Sequence, residues 1–343
     1  MGRLDLVKIL VAIPQSFLKN VSEEKDRKFL ESFSEVIWNN FDRNLTEREL
    51  SIMIRDVDGC IISWGSPKIS PKVLENANRL KIIGHVAGSI KPYICKEVFE
   101  KGIIVINAAS EIAKSVAEYT LAMMMNSLTR IPQYIFSMKQ GYERDFRREN
   151  MFYTRDLRDK NIGIIGFGNV ARELIKLLKP FNVNIMVYDP YVDVSVFRKM
   201  GVKRVSLKEV LSKSDIVTVH AASTSETYHM ISEKELSLMK DGSILIYSSH
   251  GGIIDQKALI KEVERGRIYA VLDTFEEEKY GKWLSQDSIL RKLDNVYLTP
   301  HIAGPTGERR RKLFGVIVRD FKRYFDGKMP KNVVKYSSLK HIA

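Results

Sequence analysis

Two groups of residues in this sequence have the types and spacing to do chemistry. In the first, Gly166, Gly168 and Ala171 stand in G-x-G-x-x-A spacing, after the all-apolar run Ile162 to Ile165 and before apolar residues at helical intervals from Val170 to Leu178. Gly166 lets the chain turn sharply, and Gly168 has no Cβ to keep a pyrophosphate from the free N–H groups of a helix N-terminus. Ala171 is small enough for close packing of helix on sheet. A second apolar run, Asn184 to Tyr188, ends in Asp189, about twenty residues beyond the glycines, where a carboxylate can take both ribose hydroxyls of an adenosine. The glycines alone are a weak signal; strand, glycines, helix, strand and terminal acid in that order predict a dinucleotide site. A carboxylate at 189 repels a 2′-phosphate, and Pro190 and Tyr191 follow it rather than Arg or Lys, which favours NAD over NADP.

The second group stands where further strands should end: His220, Ser248 to His250, Asp273 to Glu278, and His301 after Thr299-Pro300. In a doubly wound sheet, ligands sit at the carboxyl ends of the strands. Hydride exchange with a secondary alcohol needs a group to move the hydroxyl proton, a neighbour to tune it and a cation for substrate charge. Histidine suits the first role because its unperturbed pKa lies near about 6.5. A paired carboxylate favours the charged imidazole and fixes the ring. His301 with Glu278 supplies such a pair, although a histidine after a strand is as often a hydrogen-bonded structural residue.

The elements that must position these groups follow in order. Leu6 to Ile13 predicts a strand, Asp26 to Trp38 a helix, and Val57 to Ser63 a strand. Ser70-Pro71 predicts a capped helix start leading on to a strand at Lys81 to Val86, and a loop at Ala87 to Pro92 leads through a short helix to the strand Ile103 to Ile106. Ser115 to Leu128 is a long apolar helix whose Met123, Met124 and Met125 are packing residues, and Pro132 to Phe152 is helical in pattern. Beyond Asn161, strands at Asp215 to His220, Ser243 to Tyr247, Ile268 to Leu272 and Val296 to Leu298 alternate with helical segments and bring the second unit to six strands. The helix Arg309 to Phe325 has no strand to precede and is expected to cover the first unit.

At 343 residues and 44% apolar composition the chain has room for two cores. Its apolar runs fall short of about twenty residues and the N-terminal run lacks a small-residue cleavage site, so a soluble cytoplasmic protein without membrane span or signal peptide is expected. Cys60 and Cys95 lack ligand spacing and read as buried thiols, and no metal site is expected. The net charge is +13, with eleven Lys or Arg against three acids from Glu308 to Ala343 and a second cluster at Arg144, Arg147, Arg148, Arg155 and Arg158. Such a field can attract anionic substrates or nucleic acid without naming either. Leu313, Phe314, Ile317, Val318 and Phe321 recur at helical spacing among the C-terminal charges, so an amphipathic helix with a basic solvent face accounts for them, and a nucleic-acid partner is not expected.

The blocks LKIIGHVAGS, GIIVINAASEIAKSVAEYTLAMMM, NIGIIGFGNVARELIKLLKPF, GGIIDQKALIKEVERGRIYAVLDTFEEE and NVYLTPHIAGPTGERR, in this order over nearly the whole chain, resemble the D-2-hydroxyacid dehydrogenase family. The resemblance implies an α/β fold of two Rossmann-like domains: a doubly wound parallel-sheet NAD domain (residues 111–301) inserted in a flavodoxin-like substrate domain (1–110 and 302–343). Catalysis would lie in the cleft, and the protein would dimerise through the NAD domain. It further implies an NAD-dependent enzyme interconverting a small D-2-hydroxy acid and its 2-oxo acid. By position, His301 resembles the acid/base, Glu278 its carboxylate partner, and Asp273 the acid near the nicotinamide carboxamide, with a plain turn acid as the other reading. Gly88 and Ser89 match the loop that offers N–H groups to the substrate carboxylate, and Gly166, Gly168, Asn169, Val170, Asp189 and Ser249 match cofactor-binding positions.

The sequence also departs from the family pattern. Where an arginine is usual within N-T-A-R-G-G, this chain has Tyr247-Ser248-Ser249-His250-Gly251-Gly252. Arginine offers a planar fork charged at every working pH; histidine offers two separated donors and is mostly neutral at pH 7. Losing such a clamp without replacement costs roughly 2 to 5 kcal/mol. His250 then holds the carboxylate or polarises the carbonyl, with Lys91 either compensating as a movable cation or standing as a solvated loop residue. Ala222 replaces a proline, and Lys279 stands where proline is common after the glutamate. A catalytically weakened NAD-binding sensor or corepressor-like module is the competing reading.

Overall fold

The computed structural model describes residues 6–340; the side chains of Arg144 and Lys279, named above, lie outside what is described, as do residues 341–343. The chain divides into two compact units, Met1–Ala113 with Pro305–Ala343, and Lys114–Gly304. Both are Rossmann-like α/β units on all-parallel sheets.

In the first unit, strands β1 (Val7–Val11), β2 (Ser34–Trp38), β3 (Gly59–Ile62), β4 (Ile82–His85) and β5 (Ile104–Asn107) lie in the order β2-β1-β3-β4-β5. The helix expected over Asp26 to Trp38 is corrected: a helix spans Glu24–Glu31 and the chain then becomes β2, pairing in parallel with β1 from Val7 opposite Ser34 to Val11 opposite Trp38. Val36, Ile37 and Trp38 favour a pleated strand, and pairing with a buried neighbour overrides their helical spacing. Ser70 caps the next helix, its hydroxyl accepting from the Val73 N–H, with Pro71 in the first turn.

The helix Leu313–Phe325 belongs to this unit. Its buried Ile317 and Phe321 share one apolar cluster with Ile9, Val11, Ile61 and Ile82, and they crowd Gly59 and Gly84, where a side chain would collide with them. Much of the basic charge near this helix is matched: Arg309 pairs with Glu111 at 2.9 Å, Lys312 with Glu308 at 2.6 Å and Arg319 with Asp26 at 3.4 Å.

The second unit has seven strands rather than the six expected: β6 (Asn161–Ile165), β7 (Asn184–Tyr188), β8 (Lys203–Arg204), β9 (Ile216–Val219), β10 (Ile244–Tyr247), β11 (Tyr269–Leu272) and β12 (Val296–Leu298), ordered β12-β11-β10-β9-β6-β7-β8. The extra strand is a two-residue edge element of exposed charged residues, too short to leave a pattern. Strand order reverses beside β6, so the ends of β6 and β9 form the switch point at which doubly wound sheets bind ligands. Among the described residues no helix is long and apolar enough to cross a membrane.

Candidate active site

The glycine turn lies at the end of β6. Gly166 has φ +92°, and a Cβ there would lie 2.6 Å from the Ala221 nitrogen, so only glycine fits. At Gly168 a Cβ would meet nothing within 4 Å, which leaves open space before the helix Asn169–Leu178. No side chain caps that helix and its first turn carries no acid, so the N–H groups around Asn169 and Val170 remain suited to an anion. Asp189, at the end of β7, accepts from the Phe167 N–H at 2.8 Å and the Tyr191 N–H at 2.9 Å. It also accepts from the Val192 N–H at 3.2 Å, so the carboxylate is fixed beside the turn with about one lone-pair site to spare. These features fit a dinucleotide.

At the other side of the sheet, His301 Nδ1 lies 2.6 Å from Glu278 Oε2, and Glu278 Oε1 accepts from the Phe275 N–H at 3.0 Å. The carboxylate accepts a hydrogen bond from Nδ1–H and leaves Nε2 to exchange a proton. The His301 side chain is 41% exposed and that of Glu278 is 20% exposed, so a reactant can reach the imidazole. The His250 ring lies 6.3 Å from that of His301, centroid to centroid, in an edge-on arrangement. His250, His301 and Glu278 are thus brought together.

Tyr247 is a residue whose part the sequence did not reveal. Buried at the end of β10, its hydroxyl donates to the His250 carbonyl at 2.6 Å and accepts from the Ile253 N–H at 3.1 Å. Ser249 donates to the Val219 carbonyl at 2.8 Å, and its own carbonyl accepts from the Thr274 hydroxyl. The loop presenting His250 is therefore tied to β9, β10 and the segment after β11. Asp273 is fully buried, with its carboxylate turned toward residues 299–303.

Gly88, Ser89 and Lys91 belong to the first unit, in the loop after β4. Asn107, at the end of β5, donates to the Gly88 carbonyl at 2.6 Å, which fixes the peptide whose N–H is that of Ser89. An asparagine beside a predicted strand end was the only available signal for this contact. Lys91 is exposed, although the protein around it lowers its ammonium pKa.

His85 lies beneath this loop, fully buried and 4.6 Å from the Tyr93 ring. Burial pushes its pKa down to about 4, opposed by the Ser89 backbone. The folded value thus lies below the unfolded one, near about 6.5, so its contribution to stability is complete above pH about 6.5 and is lost as pH falls toward 4. A shift of that size corresponds to about 3 kcal/mol. Thermal unfolding from pH 7 to 4 should therefore show a shallower acid loss in His85→Leu than in the parent; parallel curves would contradict a buried neutral imidazole.

The profile of the D-isomer specific 2-hydroxyacid dehydrogenase NAD binding domain matches residues 121–303. The chain is 34% identical over 336 residues to a D-3-phosphoglycerate dehydrogenase of Methanocaldococcus jannaschii, covering 97% of this chain and 60% of that protein. It is 32% identical over 335 residues to a glyoxylate reductase of Thermococcus litoralis, covering 95% of this chain and 98% of the relative. Among solved structures, a phosphoglycerate oxidoreductase from Rhizobium etli superposes with TM-score 0.81 at 26% identity, over 96% of this chain and 98% of that one. Doubly wound parallel sheets with a nucleotide turn at the switch point define a Rossmann-type NAD(P)-binding protein. The chain belongs to the D-isomer specific 2-hydroxyacid dehydrogenase family. It spans about 60% and 54% of the length of the two phosphoglycerate dehydrogenase relatives from Methanocaldococcus jannaschii and Archaeoglobus fulgidus.

Proposed function

We propose that this protein is an NAD-dependent oxidoreductase that interconverts a small D-2-hydroxy acid and its 2-oxo acid. The observation that carries the reading is the 2.6 Å His301–Glu278 pair in the same unit as the nucleotide turn. When bound, the nicotinamide supplies or accepts hydride. His301 Nε2 gives its proton to the carbonyl oxygen during reduction and takes it back during oxidation. Glu278 holds the ring through Nδ1 and so keeps Nε2 turned to the reactant. The Gly88 and Ser89 N–H groups receive the substrate carboxylate with Lys91 as the movable cation, and His250 polarises the carbonyl or steadies the carboxylate. Asn169, Val170 and Ser249 line the cofactor site, and Asp189 selects NAD by accepting from the ribose hydroxyls.

A panel of 2-oxo acids assayed for NADH loss at about 340 nm tests the reading. At least one should be turned over, with NADH preferred to NADPH. Tight NADH binding without turnover of any 2-oxo or 2-hydroxy acid would instead support a sensor, and a preference for NADPH would remove the role given to Asp189.

We also propose a homodimer formed through the second unit. Ile135, Phe136 and Met138 on the helix Ile131–Gln140, with Phe152 just beyond, are 53%, 66%, 63% and 84% exposed, a concentration of apolar surface of the kind found at interfaces. Sedimentation should give a dimer for the parent and a monomer for Phe136→Glu; a monomeric parent refutes the assignment.

A further inference from the structure

His229 adopts a left-handed backbone conformation, φ +51°. Residues other than glycine avoid this region, and when one occupies it the surroundings must hold it there. What holds it lies on two arms of the candidate site. Its N–H donates to the Gly252 carbonyl at 2.8 Å, just beyond His250, and the Ile231 N–H donates to the Ile253 carbonyl at 3.1 Å. Its Nε2 lies 2.9 Å from Glu276 Oε1, just ahead of Glu278. An ionised carboxylate only accepts, so Nε2 is the donor. Oε1 also accepts from the Tyr228 hydroxyl at 3.2 Å, and the Tyr228 and His229 rings stack at 4.0 Å, centroid to centroid. Gly251 and Gly252 make room for this packing. A Cβ at Gly251 would lie 2.3 Å from the Phe275 carbonyl oxygen, and one at Gly252, where φ is +99°, would lie 3.3 Å from the Tyr228 ring.

We infer that His229 is a positioning residue that fastens the loop of His250 to the segment of Glu278, with Glu276 as its partner. Its peptide N–H reaches one arm and its side chain the other, so a single residue joins the two. The Thr274 hydroxyl, donating to the Ser249 carbonyl, joins the same segments ahead of His250, and His229 joins them behind it. Tied on both sides, the loop keeps the His250 ring at 6.3 Å, centroid to centroid, from the His301 ring that Glu278 holds. This inference rests on the reading of His250 as a residue that meets the substrate, but the placement of its ring can be measured without turnover.

The test uses the full chain with His229→Asn, Glu276→Ala and Glu276→Gln. Asparagine tolerates the left-handed backbone but its amide stops short of Glu276; glutamine at 276 keeps an oxygen that can accept from Nε2. Expected are a fall in kcat/KM for the best 2-oxo acid of about 10- to 100-fold in His229→Asn and in Glu276→Ala, recovery to within about threefold of the parent in Glu276→Gln, and a Kd for NADH unchanged within about twofold. Because the effect runs through His250, His229→Asn should cost less than about threefold in a His250→Ala background. The His250 ring resonance, followed by NMR in carbon-13-labelled protein, should shift or broaden in His229→Asn and Glu276→Ala and keep its place in Glu276→Gln, while that of His85 stays unmoved. The same loss with and without His250 would reduce His229 to a turn residue that supports the fold alone and overturn the inference. So would an unchanged His250 resonance in folded Glu276→Ala, which decides the matter if His229→Asn fails to fold. If the parent reduces no 2-oxo acid, the proposed reaction falls while the resonance still reports whether the loop is held as described.

Discussion

Replacing His301 by alanine should lower kcat for the best 2-oxo acid by about a thousandfold or more while leaving NADH affinity within about twofold of the parent. The size follows from the role: a positioned general acid contributes typically about 10² to 10⁴ in rate, and a site that also loses the Glu278 pairing falls toward the upper end. The side chain removed is the one that Glu278 holds at 2.6 Å. Binding is spared because the glycine turn and Asp189 lie on other strands, β6 and β7. Stopped-flow and steady-state rates on parent and variant, with fluorescence titration of NADH, make the comparison. Parental turnover in the alanine variant would eliminate His301 as the proton donor and leave Glu278 without a partner to tune.

The second large effect is a gain. His250→Arg should raise kcat/KM for small 2-oxo acids by about one and a half to nearly four decades, the equivalent of the roughly 2 to 5 kcal/mol by which a bidentate guanidinium clamp exceeds none. The backbone is prepared for this exchange, since the carbonyl of residue 250 is held by the Tyr247 hydroxyl and that of Ser249 by Thr274. A new side chain therefore departs from a fixed Cα in an exposed position. Activity that instead falls, while the parent uses some other acid well, would mark the imidazole as a specificity device. No change on any acid would remove residue 250 from substrate binding.

Much of this architecture was legible in the sequence because buried parallel strands read as short apolar runs and the nucleotide turn has fixed chemistry. Glu278 and His301 stand 23 positions apart, and their meeting followed from placing both at strand ends. Other features were not legible for physical reasons. The residues Phe33 to Trp38 carry apolar side chains at spacings that suit a helix, and only pairing with β1 decides for a strand. Tyr247 stands in the sequence only as the first residue of the segment that departs from the family pattern; its value as a tie for His250 depends on a hydroxyl reaching three residues down the chain, which spacing does not encode. Asp273 could be placed beside the chemistry, but the direction of its oxygens depends on the register of β11 against β12.

The first unit is assembled from both ends of the polypeptide, with the second inserted as one continuous stretch. During synthesis the sheet β2-β1-β3-β4-β5 therefore leaves the ribosome without the helix Leu313–Phe325, whose Ile317 and Phe321 cover β3 and β4. The first unit has its last strand by Asn107 and its covering helix only from Leu313, with the whole inserted unit made in between. The first unit must wait with an oily face uncovered until that helix has been made, and a transiently exposed apolar surface of this kind is prone to aggregate.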